Sequence, residues 1–174
     1  MTIWFTSDTH FGHANIIRFC DRPYTNVEEM NEAFITNWNE HVKHTDDIYH
    51  LGDFSFERKP ENTARRLNGN KHLILGNHDK KNHVAALQPF FCWIKDTYEL
   101  KTEGHRFWLS HYAHRTWRHN YKGVIHLYGH SHGELEDYGK STDVGVDAWN
   151  YKPVHIDTII KMMAKRENIA HHER

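Results

Sequence analysis

The first half of the chain alternates short apolar runs with longer amphipathic stretches. Residues 2–6, 48–51 and 71–75 are rich in β-branched and aromatic side chains, which predicts three buried strands. The predicted helices cover residues 13–19, 26–42, 60–67 and 79–87. This order of strands and helices predicts parallel strand pairing with right-handed crossovers.

The pattern is clearest in the second predicted helix. Asn26 is a candidate N-cap, and Glu29 follows at the spacing of a capping box. Its apolar positions recur at spacings of three and four, at Val27, Met30, Phe34 and Trp38. In the fourth helix, Asp79 is the predicted cap.

The second half of the chain is richer in strands. Residues 93–100 and 106–110 are predicted strands, and the loop between them has a glycine and a hairpin-like length. Further strands are predicted at 124–128 and 142–146, before a final helix near residues 156–165. Because the chain has 174 residues and no linker or repeat, we expect a single domain over residues 1–174.

Composition narrows the class of protein. The 22 Lys and Arg residues nearly balance the 23 Asp and Glu residues, so charge gives no strong sign of nucleic-acid binding. The N-terminal segment lacks the basic and long apolar regions of a signal peptide, and no run approaches the ~20 apolar residues of a membrane span. We therefore expect a cytoplasmic protein. With 18 histidines, no single histidine is informative without its position and neighbours.

Potential metal ligands directly follow five of the predicted strands. They are Asp8, His10, Asp53, Asn77, His111, His130 and His132. Because sites in open α/β sheets form where the carboxyl ends of strands meet, these side chains are expected to share one site. Carboxylate, amide and imidazole ligands together suit divalent manganese, iron, zinc or nickel.

Local spacing supports this interpretation. Asp8 and His10 are two residues apart, so on an extended segment both side chains point to the same side. His130 and His132 repeat this arrangement. The glycine before Asp53 allows an abrupt turn and a close approach of the ligand.

The combined order of these motifs resembles that of the calcineurin-like metallophosphoesterase superfamily. Asp-x-His, Gly-Asp, Gly-Asn-His-Asp, His and Gly-His-x-His occur in sequence between residues 8 and 132. The resemblance implies an α/β fold, a four-layer α/β/β/α sandwich of two mixed sheets flanked by helices. It implies one ion held by Asp8, His10, Asp53 and His132, and a second held by Asp53, Asn77, His111 and His130. Asp53 would bridge the two.

The resemblance also implies a reaction. A hydroxide that bridges two ions ~3.5–4 Å apart would attack phosphorus in line. His78, next to Asn77, would protonate the leaving oxygen or stabilise the transition state. Two divalent ions are the expected cofactors, with manganese first and iron, zinc or nickel as alternatives.

Departures from the protein phosphatases of the superfamily narrow the substrate. Those enzymes carry a second aspartate and an Arg-Gly pair after the Gly-Asp motif, whereas Phe54 to Arg58 lack them here, and Asp79 replaces a glutamate. The chain therefore looks more like the small phosphodiesterase branch. Since the phosphatase aspartate is missing, the group that orients His78 stays open.

Several alternatives remain at this stage. The chain could be a phosphomonoesterase or a nucleoside polyphosphate hydrolase, or a catalytically silent interaction scaffold on the same fold. A silent protein is expected to lose His78 or a metal ligand, and all are present. The expected partner is a small phosphate-ester substrate, and a homo-oligomer is an open alternative.

Weaker candidates surround the ligand motifs. His13 and Arg115 lie close to ligand residues in sequence and are candidate substrate contacts. Arg22 could bind phosphate, although a salt-bridged arginine is the commoner case. Trp117, in a predicted loop, could stack on a base, although tryptophan more often packs in a core.

Overall fold

Two mixed β-sheets form the centre of the computed structural model, which describes residues 1–102 and 104–169. The first sheet contains β1 (Ile3–Thr6), β2 (Asp47–His50), β3 (Asn70–Ile74), β4 (Trp93–Lys95) and β9 (Val154–His155). Its order is β4-β3-β2-β1-β9; the first four strands are parallel and β9 is antiparallel to β1. The parallel β-α-β-α-β unit predicted for the first half is confirmed.

The second sheet contains β5 (Thr97–Thr102), β6 (His105–Ser110), β7 (Ile125–Tyr128) and β8 (Ser141–Asp143). Its order is β5-β6-β7-β8. The β5–β6 pair is antiparallel, as the hairpin prediction required, and the other two pairs are parallel.

Among the described residues, five α-helices accompany the sheets: α1 (Ala14–Phe19), α2 (Val27–His41), α3 (Pro60–Arg66), α4 (Lys81–Leu87) and α5 (Ile156–Met163). Asn26 caps α2, because its side chain accepts a hydrogen bond from the backbone N–H of Glu29. The Glu29 carboxylate bonds Thr25 instead of closing the capping box. In the part of the chain that the structure describes, no helix has the length and apolar character needed to cross a membrane.

Alternating side chains of the first sheet divide the core into two clusters. Phe5 and Tyr49 join residues of the second sheet, such as Phe107 and Leu127, in a cluster between the sheets. Ile48 and the neighbouring strand residues face the other way, toward the side chains of α2 to α4. The predicted architecture of two mixed sheets flanked by helices is thus confirmed.

Three elements differ from their predictions. The single strand predicted at 93–100 is two strands, because β4 pairs with β3 and β5 pairs with β6 in the other sheet. The strand predicted at 142–146 ends at Asp143, and Val146–Ala148 form a 3-10 helix. Asp79 does not cap α4, since its carboxylate accepts hydrogen bonds from the backbone N–H groups of Asp53, Phe54 and Gly76, and the helix begins at Lys81.

Candidate metal centre

The loops that follow the strands converge at one end of the two sheets. Asp8 follows β1, and its backbone N–H bonds the carbonyl of Gly52 after β2, at 3.0 Å. The N–H of His10 bonds the carbonyl of Asp53 at 3.0 Å. In the second sheet, the N–H of Gly129 bonds the carbonyl of His111 at 2.9 Å. These bonds continue the strand pairing into the loops and bring the predicted ligands together.

Five of the seven predicted ligands have a left-handed backbone. Their φ angles are 57° for Asp8, 49° for His10, 57° for Asp53, 68° for His130 and 49° for His132. This region is unfavourable for residues with a side chain, although Asp and His enter it more readily than most. Such strain is typical of functional sites, where the surrounding structure holds it in place.

Two groups of ligand atoms result. Asp8, His10 and His132 each offer one ligand atom within 4.8 Å of the others. Asp53, His111 and His130 form a second group within the same limit. The one remaining predicted ligand, Asn77, lies beside the second group, with its Oδ1 2.9 Å from Nε2 of His111.

Asp53 lies between the two groups. Its Oδ2 is 3.6 Å from Nε2 of His10 and 3.5 Å from Nε2 of His111. All three residues are buried, with 2% of the surface exposed in each. A single carboxylate therefore faces both groups.

Glycines allow these loops to pack against each other. A Cβ on Gly76 would lie 2.2 Å from Oδ1 of Asp53, and a Cβ on Gly129 would lie 2.0 Å from Oγ of Ser7. Both distances are far below van der Waals contact. The close approach expected at the glycine before Asp53 is also present, because a Cβ on Gly52 would lie 2.4 Å from Nδ1 of His111.

Electrostatics at the centre favour a bound cation. Burial raises the pKa of Asp8 to about 7 and lowers the pKa of His10 to about 2. Burial alone would raise the pKa of Asp53. The hydrogen bond and the charge of His111 outweigh burial and hold this pKa at about 2. For His132, burial is outweighed by the Asp147 carboxylate, which raises the pKa to about 10. A divalent ion would compete with these protons and favour the ligating forms of Asp8 and His132.

Ligand atoms without hydrogen bonds provide a test of fit for metal ions. Within the described residues, no hydrogen bond reaches Oδ1 of Asp8 or either ring nitrogen of His10, although all three atoms are buried. Buried polar atoms are normally paired, and leaving one unpaired costs about 1–3 kcal/mol. The donor set and these unpaired atoms therefore fit divalent cations.

Comparison with known proteins agrees with this geometry. The family model described as the calcineurin-like phosphoesterase superfamily domain matches residues 1–144. The chain belongs to this superfamily. Its members are metal-dependent phosphoesterases, and this membership supports the prediction that the chain is a phosphoric ester hydrolase. The metal dependence of the family also agrees with the carboxylate and histidine clusters.

Three relatives illustrate the relationship. Uncharacterized protein MJ1445 of Methanocaldococcus jannaschii is 38% identical over 174 aligned residues, which cover 94% of this chain and 92% of that protein. The crystal structure of AQ665 from Aquifex aeolicus, a protein of unknown function, has a TM-score of 0.73 and 27% identity, covering 92% of this chain and 98% of its own. An archaeal phosphodiesterase has a TM-score of 0.53 and 21% identity, covering 83% and 82%, and shows the fold alone.

His78 is exposed and lies at the edge of the candidate centre. Its ring centroid is 5.8 Å from that of His10 and 5.0 Å from that of Phe56. Phe56 also stacks on His13 at 4.1 Å. The aromatic ring of Phe56 therefore separates two histidines beside the ligands, a contact that sequence reasoning missed.

The two candidate substrate contacts differ in position. His13 lies beside the centre, with its ring 5.6 Å from that of His10, and its buried Nδ1 has no hydrogen bond within the described residues. Arg115 lies over the Tyr138 ring and lines a cavity of about 290 Å³ that includes none of the predicted ligands. His13 thus lies next to a predicted ligand, whereas Arg115 lines a different cavity.

Trp117 is part of the protein interior. It is 7% exposed, and its Nε1 donates a 2.8 Å hydrogen bond to the carbonyl of Val124. The hypothesis that this residue stacks on a base is wrong, because its side chain is buried in the folded chain. Arg22 is likewise buried, in a salt bridge with Asp147.

A cleft opens beside the ligands His130 and His132. Its volume is about 570 Å³, and its other lining residues are Ile16, Phe19, Cys20, Ser131, Glu134 and Leu135. Phe19 and Leu135 are large apolar side chains that are 61% and 51% exposed. None of the described residues that line the cleft is Lys or Arg.

Proposed function

We propose that the chain is a dinuclear metal-dependent phosphoesterase that hydrolyses small phosphodiesters. The position of Asp53 supports this most directly, because one carboxylate oxygen lies within 3.6 Å of a histidine nitrogen from each ligand group. A carboxylate between two nitrogen-rich groups is the arrangement that a bridging ligand needs.

The ligand assignment follows the two groups. Asp8, His10, Asp53 and His132 would hold one ion, and Asp53, Asn77, His111 and His130 would hold the other. Manganese is the proposed occupant, with iron, zinc or nickel as alternatives that this donor set also accepts. When bound, the ion pair would supply a nucleophile of lowered pKa and neutralise charge on the phosphoryl oxygens.

His78 is the proposed general acid. Its ring is exposed beside the buried ring of His10, so the imidazole can reach a substrate without belonging to either ligand group. Its backbone N–H donates a 2.8 Å hydrogen bond to Oδ1 of Asp53, which holds the main chain of His78 next to the carboxylate. From this position the imidazole would deliver a proton to the leaving oxygen.

The cleft supports a diester in preference to a polyphosphate. A nucleoside polyphosphate carries several negative charges, and sites for such groups use Arg or Lys to pair with phosphate. The described lining residues offer neither, and Glu134 adds a negative charge. Apolar side chains such as Phe19 and Leu135 would instead contact an aryl, alkyl or sugar substituent of a diester.

A substrate panel tests the proposal. The protein loaded with Mn²⁺, Ni²⁺ or Zn²⁺ should hydrolyse bis-aryl phosphodiesters with a higher kcat/KM than aryl monoesters or nucleoside polyphosphates. Cyclic nucleotides and dinucleotides would then identify the type of diester. Phe19→Ala should raise KM for a bis-aryl diester more than for a methyl aryl diester, because only the bis-aryl diester has a ring on the substituent that does not leave, which would contact Phe19 in the cleft.

Two outcomes would contradict the proposal. A preference for monoesters or polyphosphates would remove the diester assignment. Binding of two ions without hydrolysis of any compound in the panel would favour a catalytically silent scaffold. EDTA-treated protein is the matched negative control, since activity that survives chelation would not depend on the proposed ligands.

A further inference from the structure

A buried arginine connects two of the ligand segments. The guanidinium of Arg22 pairs with Asp147 through Nε and Nη2, each 2.8 Å from a carboxylate oxygen. The same guanidinium donates hydrogen bonds to the backbone carbonyls of Asp8, at 2.8 Å, and Thr9, at 3.1 Å. Arg22 therefore contacts the segment that carries Asp8 and His10.

Asp147 continues this connection to the second segment. Its Oδ2 lies 2.7 Å from Nδ1 of His132. A carboxylate that accepts the Nδ1 proton of a histidine orients the ring and leaves the Nε2 lone pair for a cation. The residues Arg22 and Asp147 are 125 positions apart in the chain, so only the fold brings them together.

The backbone is strained in both ligand segments, the one with Asp8 and His10 and the one with His132, so both need contacts that hold their conformation. Asp8, His10 and His132 all have left-handed φ angles, of 57°, 49° and 49°. A strained backbone persists only where surrounding contacts determine its conformation. Arg22 contacts the carbonyls of the first segment directly and reaches the second through Asp147.

We propose that Arg22 and Asp147 form a positioning pair that holds Asp8, His10 and His132 in the geometry of one metal site. This inference rests on the proposed dinuclear centre and assigns a role to two residues outside both ligand sets. The pair contacts the residues that would hold one ion, through His132 and the backbone of Asp8, whereas none of the described hydrogen bonds connects Arg22 or Asp147 to His111 or His130.

A separate metal site at the same place is a competing interpretation. Cys20, His132 and Asp147 each offer a ligand atom within 4.8 Å of the others. However, both carboxylate oxygens of Asp147 already accept hydrogen bonds from Arg22, and one also accepts from His132. A cation there would break these bonds and add positive charge beside a buried guanidinium, so the positioning role accounts better for the contacts.

Metal titration of variants tests the proposal. Isothermal titration calorimetry with Mn²⁺ should detect two binding events in the wild-type chain. Asp147→Asn keeps the side-chain shape but removes the charge, and should weaken one event by about 10–100-fold while the other is unchanged. Arg22→Lys should have the same selective effect, because an ammonium group cannot form the two parallel contacts of a guanidinium.

A spectroscopic signal and a control separate positioning from general destabilisation. In the Co²⁺-loaded protein, Asp147→Asn should change the visible absorption of one ion only. Glu32→Gln is the matched control, because it neutralises a carboxylate paired with Arg66 on the exposed surface, and it should leave both affinities unchanged.

The outcomes distinguish this inference from the proposed function. The positioning role of Arg22 and Asp147 would be overturned if folded Asp147→Asn or Arg22→Lys bound both ions with wild-type affinity. An equal loss of affinity at both metal sites would also overturn it. If these variants do not fold, Asp147→Glu retains the charge, displaces the carboxylate and should give the same selective loss; wild-type binding there would also overturn the inference. An inactive wild-type protein that binds two ions would contradict the proposed function alone.

Discussion

The backbone N–H of His78 donates a 2.8 Å hydrogen bond to Oδ1 of Asp53, while Oδ2 of the same carboxylate faces His10 and His111. The proposed acid and the proposed bridging ligand are therefore connected through the main chain. Because this bond does not use the imidazole, the ring stays available to a substrate and its removal should leave the carboxylate in place.

We expect His78→Ala to retain both metal ions and to lose about 10²–10⁴-fold in kcat. The loss should be smaller for a p-nitrophenyl leaving group, which departs readily as an anion, than for an alkyl or sugar leaving group. Metal content by mass spectrometry and kcat with both types of diester check this prediction. The exposed His44→Ala is the control and should keep wild-type turnover, and undiminished turnover of an alkyl diester by metal-loaded His78→Ala would refute the role.

Asp53 and Asp8 should differ in their effect on metal binding. Asp53→Asn should weaken both ions by about 10-fold or more, which corresponds to about 1.4 kcal/mol each, because its Oδ2 faces both ligand groups. Asp8→Asn should weaken one ion only, since Asp8 belongs to one group. Calorimetric titration with Mn²⁺ compares the two variants. If Asp53→Asn affected a single ion, the carboxylate would not be a bridge.

The sequence alone was sufficient to predict which side chains converge. All seven predicted ligands follow strands, and the fold brings them to one end of the sheets because parallel and neighbouring strands end together. Local pattern could not predict the partner of His132, since Asp147 belongs to another segment. Local pattern also failed to predict that the chain passes from one sheet to the other at Asp96. Two strands that follow each other directly show the same alternation of apolar and polar residues as one long strand.

The role of Asp79 was also outside the reach of local pattern. At the start of a predicted helix, an aspartate is the usual N-cap, and the prediction followed that rule. In the folded chain its carboxylate accepts hydrogen bonds from the backbone N–H groups of Asp53, Phe54 and Gly76, between 2.8 and 3.0 Å. Long-range loop packing therefore outweighed helix capping, and Asp79 holds the Asp53 loop.

The tight contact between Gly76 and Asp53 predicts a specific steric effect. In Gly76→Ala the new Cβ would lie 2.2 Å from Oδ1 of Asp53, so the carboxylate must move. We expect weaker Mn²⁺ binding and a loss of about 1–3 kcal/mol in the free energy of unfolding. Gly104→Ala is the control, because alanine at a φ of 77° is strained, but its Cβ would meet no described atom within 4 Å other than those of its chain neighbours. Gly104→Ala should lower the free energy of unfolding by about 1–2 kcal/mol without changing metal affinity. Equal Mn²⁺ affinity in Gly76→Ala and Gly104→Ala would contradict the steric argument.

Buried His126 should make stability depend on pH. Burial lowers the pKa of His126 to about 3, and the ring contacts the carbonyl of Trp108 at 3.1 Å and the N–H of His114 at 3.0 Å. In the unfolded chain a histidine has a pKa near 6.5, so between about pH 6.5 and 3 the unfolded state binds a proton that the folded state does not. His126 should therefore lower the free energy of unfolding by up to about 1.4 kcal/mol for each pH unit below 6.5, and have no such effect above it.

Urea unfolding between pH 4.5 and 7.5, with EDTA present to remove metal effects, measures this contribution. Other buried groups titrate in the same range, so the difference between wild type and His126→Gln isolates the one side chain. The variant should show a shallower decrease in stability below pH 6.5, because glutamine keeps a donor and an acceptor but cannot be protonated. The exposed His44→Gln should follow the wild-type curve. Parallel curves for wild type and His126→Gln would mean that His126 binds a proton equally well in both states.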